Sequence, residues 1–303
     1  MTTNQNITIT PESVQTAGAV SYWRLSGPVN LAALTNAWKL AGLNVDMLPR
    51  PPGDDVALGR AVHEEEGRIR GRAARAGQPD DDSDVRRLVR SLARRGAWAL
   101  VEETRANDTL HYSTLLSVVS GKAGAPVFTR VDASSVDYEA VVARIRANYD
   151  KRRGEIEPTD VSSWLVKIAN KLQSVPLRDT GGIYFVPRND IDVWRKVVEA
   201  ITTVSAHRVF SIPALRNSEA IDAITDAISQ EAESISVALE AELGKTGDDA
   251  LGAKALQTRQ ESCELLLQKI SAYDKLLDTQ LKCRDRVERL QAAIVSAAIS
   301  QAA

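Results

Sequence analysis

The chain has 303 residues, a formal charge of −2 and a hydrophobic share of 44%. That allows one large or two ordinary domains with packed cores. The near-balance of 38 basic and 40 acidic side chains excludes a strong general attraction to nucleic acid or anionic membrane.

Residues 1–17 read as a flexible arm, and 19–25 as a short strand ended by Ser26-Gly27-Pro28. Asn30 to Ala41 reads as a helix with Leu31, Leu34, Trp38 and Leu40 apolar and Gly42 closing it. Residues 43–48 read as a strand or extended loop. A helix over 56–69 leads into an arginine-rich region, with a flexible segment at 77–83 and a short basic helix over 84–95. Ten arginines face seven acids over 60–95, a pattern that favours a solvated charged surface over an anion-binding patch. Strands at 97–102 and 110–119 flank turn residues, and 127–131 adds a third antiparallel strand.

Residues 135–153 and 159–173 read as helices, 175–187 as a compact hairpin, 189–203 as a helix and 209–212 as a short strand. Helix, turn, helix and hairpin in that order resemble a winged-helix module. Its candidate nucleic-acid contacts are Lys151, Arg152, Arg153, Lys167, Lys171, Arg178 and Arg188.

From Pro213 onward no proline interrupts a run rich in strong helix formers. Ile221, Ile224, Ile228, Ile235, Leu239 and Leu243 mark one face of a helix over 217–243, capped by Asn217 or Ser218. After a break at 244–249, a second helix over 249–300 completes an antiparallel hairpin. The first helix carries no Lys or Arg and the second is slightly basic, which suits their pairing. At a rise of about 1.5 Å per residue the first helix covers only roughly 250–272 of the second. The overhang, with Tyr273, Leu276, Val287, Leu290 and Ile294, is therefore the candidate interaction surface for a second copy or a protein partner.

The sequence supplies no catalytic, cofactor-binding or metal-binding candidates. Gly244-Lys245-Thr246 matches only the end of a phosphate-binding loop, because Leu239 stands where that motif needs glycine. His63, His111 and His207 fall in unrelated segments, without metal-ligand spacing. Cys263 and Cys283 sit on apolar stripes of the second helix, about 30 Å apart along its axis, which fits buried free thiols in a reducing compartment. The polar N-terminus lacks a signal-peptide pattern and no apolar run approaches a membrane span, so a cytoplasmic protein without membrane contact is expected.

The run Thr180-Gly181-Gly182-Ile183-Tyr184-Phe185-Val186-Pro187 resembles uncharacterised proteins carried by bacteriophages and mobile elements. The resemblance implies action in a bacterial cytosol and no known activity. The expected fold is α+β. A flexible arm (1–17), an α+β domain (18–134) and a winged-helix-like region (135–212) precede a long helical hairpin (213–303). The expected function is non-enzymatic interaction or assembly through the hairpin. The alternative is a nucleic-acid-binding accessory factor, and an enzyme with a site in the α+β body is the third reading.

Overall fold

The computed structural model describes residues 16–69, 85–106, 109–121, 124–131, 138–178, 181–245 and 251–302. Its contacts divide the chain into two compact units. Unit 1 is Met1–Gly27, Ala37–Met47 and Thr159–Ala303, and unit 2 is Pro28–Asn36 and Leu48–Pro158. The expected arm at 1–17 falls almost entirely outside the described residues.

In chain order, β1 (Thr16–Arg24) and β2 (Val29–Asn30) precede α1 (Leu31–Leu40). Gly42, at φ 68°, ends α1 as the sequence predicts: its N–H bonds Lys39 O at 3.0 Å and the Leu43 N–H bonds Trp38 O at 3.2 Å. Then come α2 (Asp54–His63), β3 (Gly67–Ile69), β4 (Val85–Ser91), β5 (Ala97–Ala106), β6 (Thr109–Ser120) and β7 (Pro126–Arg130). α3 (Tyr138–Arg153), β8 (Glu155–Ile156), α4 (Pro158–Lys171), β9 (Val175–Pro176) and β10 (Ile183–Pro187) follow. α5 (Ile191–Val204), β11 (Arg208–Leu215), α6 (Ser218–Leu243), α7 (Ala253–Leu277) and α8 (Arg284–Ala302) complete the chain. The fold is mixed α+β with antiparallel sheets, as expected.

Unit 2 is built on a five-stranded antiparallel sheet in the order β3-β4-β5-β6-β7. Leu58 and Val62 of α2 and Val141 and Ile145 of α3 pack with Leu100, Leu116 and Val118 of the sheet into its core. Two helical expectations are corrected here. α2 stops at His63 because Gly67, at φ 141°, starts a strand. The basic helix expected over 84–95 is the strand β4. Its alternation puts Arg87 and Val89 inward, and Arg86 and Arg87 stand opposite Glu103 and Glu102 of β5. Cross-strand charge pairs of this kind stabilise a sheet and are invisible to a helix-period reading.

Unit 1 has a four-stranded sheet in the order β11-β1-β10-β9, so the first strand of the described chain lies between two of the latest. β1 runs antiparallel to both neighbours, with Ser21 opposite Tyr184 and Ser211. One face meets α5: the Trp194 indole N–H donates to Ser21 Oγ at 2.9 Å, and Trp23 stacks on Tyr184 with centroids 5.4 Å apart. The other face meets the C-terminal helices, where Phe185 lies 6.1 Å from the Tyr273 ring. Gly18 permits this closeness, since an added Cβ would come within 2.2 Å of Val186 O and 2.6 Å of the Phe185 ring.

The C-terminal region is a three-helix assembly rather than a two-helix hairpin. α6 begins as predicted, with Asn217 Oδ1 accepting from the Ala220 N–H at 2.9 Å, and it buries Ile224, Ile228 and Leu239. The second helix breaks at Asp278, which adopts the left-handed conformation at φ 56°. Asp274 organises the reversal. Its carbonyl accepts from Thr279, and its carboxylate accepts from the Leu281 N–H at 2.8 Å and pairs with Arg284. α8 then returns along α6 and α7, where Arg286 pairs with Glu233 and Glu240 of α6. Cys263 and Cys283 therefore do not share one helix; both thiols are free.

The winged-helix arrangement is also corrected. α3 belongs to unit 2, whereas α4 and the β9–β10 hairpin belong to unit 1. β10 is an interior strand bonded to β1, so the hairpin forms part of the unit 1 sheet. The turn expected at 179–182 lies partly outside the described residues. The expected boundary at 134/135 is likewise displaced, because Leu48–Pro158 forms one body around the five-stranded sheet.

Candidate interaction surface

The seven cations singled out in the sequence separate into two groups. In unit 2, Lys151 lies 4.0 Å from Glu155, Arg152 pairs with Glu64, Glu155 and Glu157, and Arg153 pairs with Asp54 at 3.1 Å. Those charges are met by carboxylates. In unit 1, Lys167, Lys171, Arg178 and Arg188 are exposed and have no carboxylate partner among the described residues. Lys167 and Lys171 lie one turn apart on the solvent side of α4. In the arginine-rich region Arg87 is buried between Glu65 and Glu102, and Arg144 also grips Glu65. Arg70, Arg72 and Arg75 lie outside the described residues.

The expected helical interaction surface is internal. Tyr273, Val287, Leu290 and Ile294 are buried in the core of the three-helix assembly, and Leu276 packs against it half-buried. Because the chain turns back at Asp278, no unmatched overhang exists among the described residues.

Behind that core lies a buried polar cluster on α7. Lys269 Nζ donates to both carboxylate oxygens of Glu231, at 2.7 and 2.9 Å, and to Ser174 O at 2.7 Å. Burial pushes the Lys269 pKa down, against the pull of Glu231. Burial also holds the Tyr273 phenol well above its ordinary pKa, so it donates to Gln173 O, at 2.9 Å. Gln173 is left-handed at φ 52° and closes α4 in a Schellman turn, with Ser174 N–H bonding Ala169 O at 2.9 Å. The cluster ties the end of α4 to α6 and α7. Among the described residues no group of three His, Cys, Asp or Glu side chains converges as a metal site.

The open surface lies on β11. It is an edge strand of eight residues whose outer side pairs with no described strand. Phe210, Ile212 and Leu215 are 38%, 54% and 49% exposed, and Tyr22, stacked on Phe210 at 4.8 Å, is 38% exposed. Pro213 sits within the strand. Sequence reasoning read 209–212 as a short strand leading into the helical hairpin and missed both its full length and its place at the sheet edge. The available signal was Pro213, since a proline inside a strand pattern marks an edge.

Residues 18–303 match the family described as "Family of unknown function (DUF6744)". The chain belongs to that family. No curated protein and no solved structure matches it. Among the described residues of this DUF6744 member, no helix is long and apolar enough to cross a membrane.

Proposed function

We propose that this DUF6744 protein is a non-enzymatic interaction protein that takes up an extended segment of another protein along β11, adding a strand to the unit 1 sheet. One observation carries the reading: an eight-residue edge strand leaves Phe210, Ile212 and Leu215 exposed beside Tyr22. Soluble proteins blunt such edges with short strands, charges, proline or a covering element, and here Arg208 and Pro213 leave the stretch from Phe210 to Ile212 open. The free backbone groups of an edge supply affinity, and alternate side chains supply selectivity.

Charge sets the kind of partner. Arg24 and Arg208 stand directly opposite each other across β1 and β11, and neither has a carboxylate partner among the described residues. Like charges in that position destabilise a sheet. An acidic residue at the end of an incoming strand relieves them, so the favoured partner segment is apolar in alternation and acidic at its ends. A second copy fits less well. Antiparallel self-pairing centred on Ile212 sets Arg208 of each copy against Arg216 of the other.

The test is fluorescence anisotropy with peptides of the length of β11, alternating valine and threonine, with either glutamate or lysine ends. Glutamate-ended peptides are expected to bind the full chain and to protect the amides of 208–215 from hydrogen exchange. Ile212→Lys should weaken that binding at least about tenfold. Equal binding of both peptide types, or no effect of Ile212→Lys, would remove the reading.

A second reading rests on the four unpaired cations Lys167, Lys171, Arg178 and Arg188, which suit contact with a nucleic-acid backbone. Binding to mixed-sequence DNA that falls steeply with salt and is lost in the triple variant Lys167→Ala, Lys171→Ala, Arg178→Ala supports it. An affinity indifferent to salt removes it. We also read the protein as cytoplasmic in a bacterial host, on its resemblance to phage-borne proteins and its two free cysteines.

A further inference from the structure

A groove of about 730 Å³ lies in unit 1 between the outer face of α7 and one end of the four-stranded sheet. Asn189, just after β10, and Arg216, just after β11, line it from the sheet side. They come together because Gly18 of β1 pairs with Pro187 on one side and Ala214 on the other. From α7, Gln268, Ser271 and Lys275 line it at spacings of three and four, which puts them on one helical face. Leu267 and Leu276 add apolar surface at its two ends.

Polar side chains on an exposed helix face are ordinarily just a solvated surface. Two features set this face apart. It is concave, and its volume falls in the range of about 300–1,000 Å³ usual for small-molecule sites. Its two cations, Arg216 and Lys275, have no carboxylate partner among the described residues, although most arginines of the C-terminal helices do. Arg284 is already held by Asp274 and donates to Ser271 Oγ at 3.1 Å, which fixes that hydroxyl. The amide groups of Asn189 and Gln268 can donate or accept.

We propose that this groove binds a phosphorylated small molecule of nucleotide size. Arg216 and Lys275 hold the phosphate, a group whose charge matches two cations where a lone carboxylate would leave one unmet. Leu276, next to Lys275, covers the flat apolar part of the molecule, and Asn189 and Gln268 read its polar edge. This assignment goes beyond strand uptake at β11. Lys275 belongs to the groove alone, so its substitution separates the two readings.

The experiment is calorimetric titration of the full chain at about 0.1 M salt, where weak surface attraction is largely screened. The probes are the common nucleoside diphosphates, the corresponding nucleosides, and a short single-stranded oligonucleotide. At least one nucleoside diphosphate is expected to bind saturably at one site per chain, and its nucleoside is not. Lys275→Ala and Arg216→Ala should each weaken binding roughly tenfold or more, the loss expected for one charged hydrogen bond. Lys196→Ala, on exposed α5, should leave it unchanged. Both groove side chains are exposed, so unchanged melting temperatures will confirm folded variants. Absence of saturable diphosphate binding, or binding indifferent to both groove substitutions, overturns the proposal. Binding of the oligonucleotide alone overturns it in favour of nucleic-acid contact.

Discussion

Lys269 on α7 and Glu231 on α6 form a bidentate pair whose side chains are 10% and 21% exposed, and the same ammonium group holds the carbonyl of Ser174. Desolvating both charges is costly, so the pair fixes geometry more than it adds stability, and breaking one side is worse than removing both. Lys269→Met should therefore destabilise unit 1 by about 2–4 kcal/mol in urea denaturation, because Glu231, only partly exposed, loses its counter-charge. The double variant Lys269→Met/Glu231→Leu should recover most of this. About 1 kcal/mol should remain lost, because Ser174 O still lacks its donor.

His207 predicts a pH dependence. It is 3% exposed, its Nδ1 accepts from the Ser26 N–H at 3.0 Å, and Nε2 has no hydrogen-bond partner among the described residues. Burial holds its pKa below the ordinary 6.5. The unfolded chain then binds a proton more readily than the folded one. The contribution of His207 is fully present above about pH 6.5 and is lost as pH falls toward the lower folded value. Its slope is at most about 1.4 kcal/mol per pH unit. Denaturation series from about pH 7.5 to about pH 5 should show this fall in wild type and a shallower one in His207→Gln.

Asp274 should be the residue on which the α7–α8 reversal depends. Asp274→Ala removes the acceptor of the Leu281 N–H and the partner of Arg284. A loss of about 2–3 kcal/mol is expected, with faster proteolysis between Asp278 and Cys283. Asp274→Asn keeps an acceptor for Leu281 and should restore roughly half of the stability.

The periodic helices were legible because their burial is local in pattern. Val141, Ile145 and Tyr149 of α3, Val161, Leu165 and Ile168 of α4, and Ile224 and Ile228 of α6 are all buried as their spacing implies. The break at Asp278 was not legible. Residues 278–283 contain neither glycine nor proline, and the signal is a side chain four residues earlier whose acceptor role appears only once the chain has turned. β4 was misread for a related reason. Arg86 and Arg87 are stabilised in a strand by Glu103 and Glu102, which lie about fifteen residues on. The open edge of β11 depends on which strand stands beside it, and within β11 only Pro213 hints at it. The groove shares this difficulty, since Asn189, Arg216 and α7 meet only through the register of β1.

The place of β1 between β10 and β11 bears on how the protein is made. Ribosomes deliver β1 roughly 160 residues before the first of its partners, an interval of roughly 8–30 s at ~5–20 residues per second. Throughout that wait Ala17, Ala19 and Trp23 have no sheet to join, while Leu48–Pro158 is already complete. Nascent chains stalled before Ile183 should hold a folded middle and an unpaired leading strand, a natural client for a chaperone. Synthesis, not only thermodynamics, thus orders the assembly of the two units.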